Sequence, residues 1–150
     1  SSFPRVLWDD AQYGNSDTKL VDDAKIKRVV LCSGKVYYDL LEERDKRGID
    51  DIYLLRLEQF YPFPAHSMVT ELQRFPDAEF IWCQEEPKNQ GAWSFVEPNI
   101  EWVLTRIEHK NTRPSYVGRN ASASPATGLA SQHKAEQQAL VNEALTLEDK

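Results

Sequence analysis

The chain has 150 residues, 18 Lys plus Arg against 24 Asp plus Glu, a formal net charge of −6, and 41% hydrophobic and 28% charged residues. Those are globular proportions, which exclude wholesale disorder, and a chain of this length buries roughly 70% of its unfolded surface. No apolar run exceeds four residues, far short of the ~20 of a membrane helix, and a pI near 5.1 argues against the clustered basic surface of a nucleic-acid partner.

Residues 1–27 hold five aspartates, a Tyr-Gly-Asn-Ser turn cluster and little periodicity. They read as an extended arm or inter-domain linker, with the domain proper at 28–150. Phe3, Val6, Leu7 and Trp8 around Pro4 suggest an apolar anchor that packs on this domain or a neighbour. Asp9 and Asp10 and the lack of an apolar core exclude a signal peptide. Val29 to Cys32 is the first strand-like run, ending at Ser33-Gly34. Residues 35–47 set Val36, Tyr37, Leu40 and Leu41 against Asp39, Glu42, Glu43 and Lys46, an amphipathic helix stopped by Gly48. A second run, Ile52 to Leu57, leads through Tyr61-Pro62-Phe63-Pro64 into a helix with Met68, Val69, Leu72 and Phe75 inward. Phe80 to Cys83 is the third run, followed by the polar loop Gln84 to Gln90. A helix is expected from near Pro98, because Ile100, Val103, Leu104 and Ile107 form a helical stripe. Ser115-Tyr116-Val117 is the fourth strand. After the small-residue loop Gly118 to Gly128, a last helix runs from about Leu129 to Leu147 with Leu140, Ala144 and Leu147 inward.

Apolar runs without alternation are buried on both faces, which favours a parallel sheet, and strand alternating with helix is the order of a doubly wound α/β domain. The expected architecture is a three-layer αβα sandwich with a mostly parallel sheet. Cys32 and Cys83 each close a buried run and read as core thiols, without the spacing of a disulfide framework or zinc site. Asn120-Ala121-Ser122 matches a glycosylation acceptor, but without a secretion signal it reads as a chance match. The expected compartment is a reducing one, bacterial cytoplasm or mitochondrial matrix.

Ligands of such sheets bind beyond the carboxyl ends of the strands. Ser33 and Gly34 open a helix N-terminus that attracts anions. Lys35 and Arg119 add positive charge, and Gln84, Asn89 and Gln90 add amide donors. Two readings stand: Ser33, Lys35, Gln84, Gln90 and Arg119 line a site for a phosphate-bearing molecule, or Ser33 is a helix cap and Lys35 a solvated side chain. Ser-Gly-Lys is too short for a dinucleotide fingerprint. Cys83 lacks the small flanking residues of a nucleophile elbow. His66, His109 and His133 are scattered, without metal-ligand spacing. Glu85 and Glu86, adjacent on a strand, point to opposite faces, so they do not form an acid/base pair. Such a sheet without a complete active site fits a domain of a larger enzyme.

Four motifs carry a resemblance. They are Leu31-Cys32-Ser33-Gly34-Lys35-Val36-Tyr37-Tyr38-Asp39-Leu40; Arg56 through Pro64; Trp82-Cys83-Gln84-Glu85-Glu86-Pro87-Lys88-Asn89-Gln90-Gly91-Ala92-Trp93; and Tyr116-Val117-Gly118-Arg119 with Ala121 through Gly128. From about Lys27 to Leu147 the chain resembles the C-terminal domain of the thiamine-diphosphate-dependent dehydrogenase component of the 2-oxoglutarate dehydrogenase complex. The resemblance implies a transketolase-like C-terminal domain with no cofactor or catalytic residue of its own. Thiamine diphosphate and magnesium would belong to other domains of a homodimeric enzyme. That enzyme decarboxylates 2-oxoglutarate and passes a succinyl group to the lipoyl arm of the dihydrolipoyl succinyltransferase component. It also implies an effector, AMP or acetyl-CoA, at or near this domain, in keeping with the strand-end residues. The alternatives are a self-contained nucleotide- or anion-binding α/β module and a cysteine hydrolase using Cys83. The crowding of Trp82, Trp93, Phe95 and Trp102 further suggests that Trp93 and Phe95 meet a second chain or a neighbouring domain.

Overall fold

The computed structural model describes residues 5–120 and 130–148. Strands β1 (Val6–Leu7), β2 (Arg28–Cys32), β3 (Ile52–Leu57), β4 (Glu79–Pro87) and β5 (Ser115–Arg119) form one sheet in the order β1-β3-β2-β4-β5. Helices α1 (Val36–Arg47), α2 (Ala65–Leu72), α3 (Trp93–Arg106) and α4 (Ala130–Leu145) cover its faces. β2 pairs in parallel with β3 and β4, β4 with β5, and β1 closes the β3 edge antiparallel. This is the expected αβα sandwich.

Strand alternation divides the core in two. Leu31, Leu55 and Trp82 meet Met68 and Leu72 of α2 and Val96, Ile100 and Val103 of α3. Val30, Leu54 and Ile81 meet Val36, Tyr37 and Leu40 of α1 and Leu140 and Ala144 of α4. Both faces are dry, which is why these strands carry no polar alternation. Gly48 ends α1 in the left-handed conformation, with φ at 67°.

Two sequence expectations shift. α3 begins at Trp93, and Pro98 lies inside it. Pro98 is exposed, so the carbonyl it fails to serve has access to water. Burial of Trp93 and Val96 carries the helix through the proline, extending the stripe of Ile100 and Val103 one turn backwards. α4 ends at Leu145, and Leu147 packs beyond it as a partly buried residue. Leu129 and the motif Ala121 through Gly128 lie outside the described residues, as do Phe3 and Pro4.

The arm lies on this domain. Val6 and Leu7 pair with Leu57 and Arg56. Val6, Leu20 and Val21 pack against the α2/α3 core, and Ile26 is fully buried in it. Asp9 is buried against Arg44 of α1, with both side chains at 0% exposure. Its carboxylate also accepts from the backbone N–H of Ala11 at 2.9 Å and of Leu54 at 2.8 Å. Further along, the Ser16 and Thr18 hydroxyls donate to Asp45, each at 2.7 Å, and Arg74 pairs with Asp23 at 2.9 Å. Acidic residues that read as linker composition are therefore the arm's fastenings.

Candidate functional site at the carboxyl edge of the sheet

β4 continues as strand to Pro87, past the Cys83 at which its apolar run stops. Gln84 and Glu85 are thus strand residues and face opposite layers. Gln84 turns toward α3 and is 4% exposed. Its Nε2 donates to the carbonyls of Glu86 at 3.1 Å, Pro87 at 3.0 Å and Gln90 at 2.7 Å. Its Oε1 accepts from the Trp82 indole at 2.8 Å and the Trp93 amide at 3.1 Å. Every polar valence of this amide is used inside the domain. Gln90 meets it through its backbone carbonyl, while the Gln90 side chain is exposed.

Glu85 turns to the other face. It accepts from Lys35 Nζ at 3.1 Å and from Gln137 Nε2 of α4 at 2.8 Å. Gln137 Nε2 also donates to Asp39 at 2.8 Å. The Lys35 side chain is 79% exposed, so this ion pair is screened and weak. Ser33 is not the helix cap: its Oγ donates to Glu58 at 3.3 Å, and the residue that caps α1, Lys35, makes no side-chain cap bond.

Arg119, 7% exposed, bonds His133 Nδ1 through Nη2 at 2.7 Å and pairs with Glu136 at 3.3 Å. That guanidinium pins α4 to β5. The edge therefore joins Lys35 to Glu85 and Gln84 to Gln90, but it does not gather the five predicted residues into one cluster. Glu85 as the partner of Lys35 and Gln137 as a bridge between helices were not legible as site residues. Arg56 was missed as well. Its guanidinium lies 4.0 Å over the Tyr37 ring, and its Nε is buried without a partner. An arginine closing a buried strand was the available signal.

Other candidates are structural. Burial, reinforced by Glu85 and Glu143, pushes the Cys83 thiol up to about 12, and burial also raises Cys32. A thiol held protonated is a poor nucleophile, which removes the hydrolase reading. His109 Nδ1 accepts from the Asn111 amide at 2.9 Å and its Nε2 meets the Phe75 carbonyl at 2.8 Å, a buried tautomer lock. Among the described residues no three His, Cys, Asp or Glu converge as a metal centre. These residues do not fit a magnesium–diphosphate site. Trp93, 7% exposed, is a core residue beside Tyr116 and Gln84, while Phe95 is partly buried against the same core.

A sequence model described as 2-oxoglutarate dehydrogenase C-terminal matches residues 1–145. The chain belongs to that family. It is 64% identical over 146 residues to the 2-oxoglutarate dehydrogenase E1 component of Brucella anthropi, covering 97% of this chain and 15% of that protein. Against the proteins of the same name from Brucella ovis and Brucella abortus the identity is again 64%, with 97% of this chain and 14% of the relative covered. The chain thus spans about 15% of the length of these relatives. Among the described residues no helix is long and apolar enough to cross a membrane.

Proposed function

We propose that this chain is the non-catalytic C-terminal domain of a longer 2-oxoglutarate dehydrogenase that works in the bacterial cytoplasm. The parent reaction is the oxidative decarboxylation of 2-oxoglutarate with succinyl transfer to lipoyl groups of the succinyltransferase component. Thiamine diphosphate supplies the carbanion chemistry of that reaction and, with magnesium, belongs to other parts of the homodimeric parent. The domain contributes structure and contacts to those parts. One observation carries this reading: the chain is 64% identical over 97% of its length to a protein of which it covers only 15%. The full-length parent is expected to release carbon dioxide from 2-oxoglutarate when supplied with thiamine diphosphate and magnesium, and the 150-residue chain alone is expected to release none. Turnover by the isolated chain overturns the proposal.

An effector role follows as a second, narrower proposal. The start of α1 has no side-chain cap, and Lys35 extends 79% exposed beside it. The Tyr37 and Tyr38 amides already donate to the Gly34 and Lys35 carbonyls, so the exposed Lys35 ammonium at the positive end of the helix is the group that suits an anion such as the phosphate of AMP or acetyl-CoA. In this reading Ser33 and Lys35 touch the ligand, Gln90 lies at the rim, and Gln84 and Arg119 hold the walls. Lys35→Ala in the full-length parent is expected to weaken AMP or acetyl-CoA binding roughly tenfold, about 1.4 kcal/mol, with an unchanged unfolding midpoint. Calorimetric titration decides it: equal affinity in both proteins removes Lys35 from any such site.

A further inference from the structure

Tyr61 is 74% exposed, yet its ring lies 4.4 Å from the ring centroid of Phe95 at the start of α3. Phe63 meets the same Phe95 ring edge-on at 6.2 Å. Phe95 and Trp102 are two helical turns apart on one side of α3, about 10 Å along its axis. Trp102 is 52% exposed, with the Arg106 guanidinium over it at 5.6 Å. The core face of α3 is separate from this stripe, since Val96, Ile100 and Val103 are fully buried. Tyr61 over the partly buried Phe95, with Trp102 two turns further along the same side of α3, thus make an aromatic side of the helix beside a completed core. Apolar surface of this kind marks an interface rather than a solvated face, and aromatic rings are the residues that anchor one.

The path of the chain identifies what covers it. β1 runs antiparallel to β3, so its first residue, Val6, lies at the edge where β3 ends. Arg5 stands there, its carbonyl accepting from the Glu58 amide at 2.8 Å. Tyr61 follows Glu58 by three positions. The relatives are several times longer than this chain, and the family is a C-terminal one. Polypeptide that precedes the domain is therefore delivered to the edge that carries Tyr61 and Phe95, from which the side of α3 leads to Trp102. We propose that the Tyr61–Phe95–Trp102 stripe is the seat of the polypeptide that precedes this domain in the parent protein. The inference rests on the reading of the chain as the C-terminal part of a longer enzyme. Docking of this sort buries a domain-sized contact and fixes the orientation of the last domain against the one before it.

The test uses the full-length parent. Benzoylphenylalanine replaces Tyr61 in one preparation and Trp102 in another, both exposed positions whose exchange leaves the core untouched. Unlabelled and nitrogen-15-labelled enzyme are dissociated together and reassociated so that subunits mix, then irradiated and digested, and crosslinked peptides are identified by mass spectrometry. The expected product at Tyr61 joins this domain to an upstream peptide of the same chain, with no mixed-isotope species, and Trp102 gives the same pattern. A mixed-isotope crosslink at Tyr61 places a second copy on the stripe and overturns the proposal. A Tyr61 preparation that captures no upstream peptide overturns it as well. Turnover of 2-oxoglutarate by the unsubstituted enzyme is measured alongside. Its absence defeats the functional reading while leaving the crosslink pattern readable.

Discussion

Asp9→Ala is expected to lower the thermal unfolding midpoint by about 6–20 °C. The estimate takes about 3–5 kcal/mol for removing one partner of a buried ion pair, at about 2–4 °C per kcal/mol for a domain of this size. Both side chains of the Asp9–Arg44 pair are at 0% exposure. Loss of the carboxylate leaves the Arg44 guanidinium with the Ile52 carbonyl and Asp45 at 3.3 Å and the Ser16 hydroxyl at 3.4 Å, none of which replaces a bidentate partner. The Leu54 amide loses its acceptor at the same time, and the turn Asp10–Tyr13 loses the side chain that caps it. Asp9→Leu combined with Arg44→Met removes the charges together and is expected to cost less than Asp9→Ala alone. Calorimetry of the three variants measures this, and limited trypsin digestion reports whether cleavage at Lys19 and Lys25 rises as the arm loosens. A midpoint within 1 °C of the unsubstituted protein would show that the arm is held by β1 and its apolar contacts.

The parallel sheet was legible because β2, β3 and the first half of β4 are short apolar runs with little polar alternation, a pattern that double-sided burial explains. α1 and α2 were legible from stripes that local spacing displays. Two features were not. β1 pairs through two residues, too few for any period, and the residue that makes its neighbourhood part of the domain, Asp9, finds Arg44 35 positions away. Local composition read this segment as an extended arm or inter-domain linker, without assigning its aspartates any partner. At α3 the general tendency of proline to start helices was outweighed by the burial of Trp93 and Val96 ahead of Pro98. The rule that ligands bind where parallel strands end directed the site reading to the carboxyl edge. What the sequence did not display was how far β4 runs. Treating Gln84 to Gln90 as loop placed Gln84 among solvent-facing donors. As strand, alternation turns Gln84 toward α3 and Glu85 toward Lys35 and α4, and the predicted cluster divides between two layers.

Gln84→Leu separates the two roles open to that residue. Leucine keeps the volume and removes five hydrogen bonds. The Trp82 indole N–H, on a side chain 1% exposed, and the buried Trp93 amide would each lose their acceptor. At about 1–3 kcal/mol for each stranded buried donor, the expected destabilisation is about 2–6 kcal/mol. The carbonyls of Glu86 and Gln90 belong to exposed residues and recover water, so they add little. The loop is built around this amide. A Cβ at Gly91, where φ is +69°, would come within 3.1 Å of the Gln84 side chain, and one at Gly118 within 2.5 Å of the Gln84 carbonyl. Chemical denaturation followed by tryptophan fluorescence measures the loss directly, since Trp82 sits at the centre of the change. A ligand-contacting glutamine gives the opposite result: near-normal stability with weakened effector binding. If Gln84→Leu shows that pattern, the internal bonds of Gln84 are dispensable and the residue belongs to the effector site. If the midpoint falls and the folded fraction keeps its affinity, Gln84 is a buried brace of the β4–α3 loop.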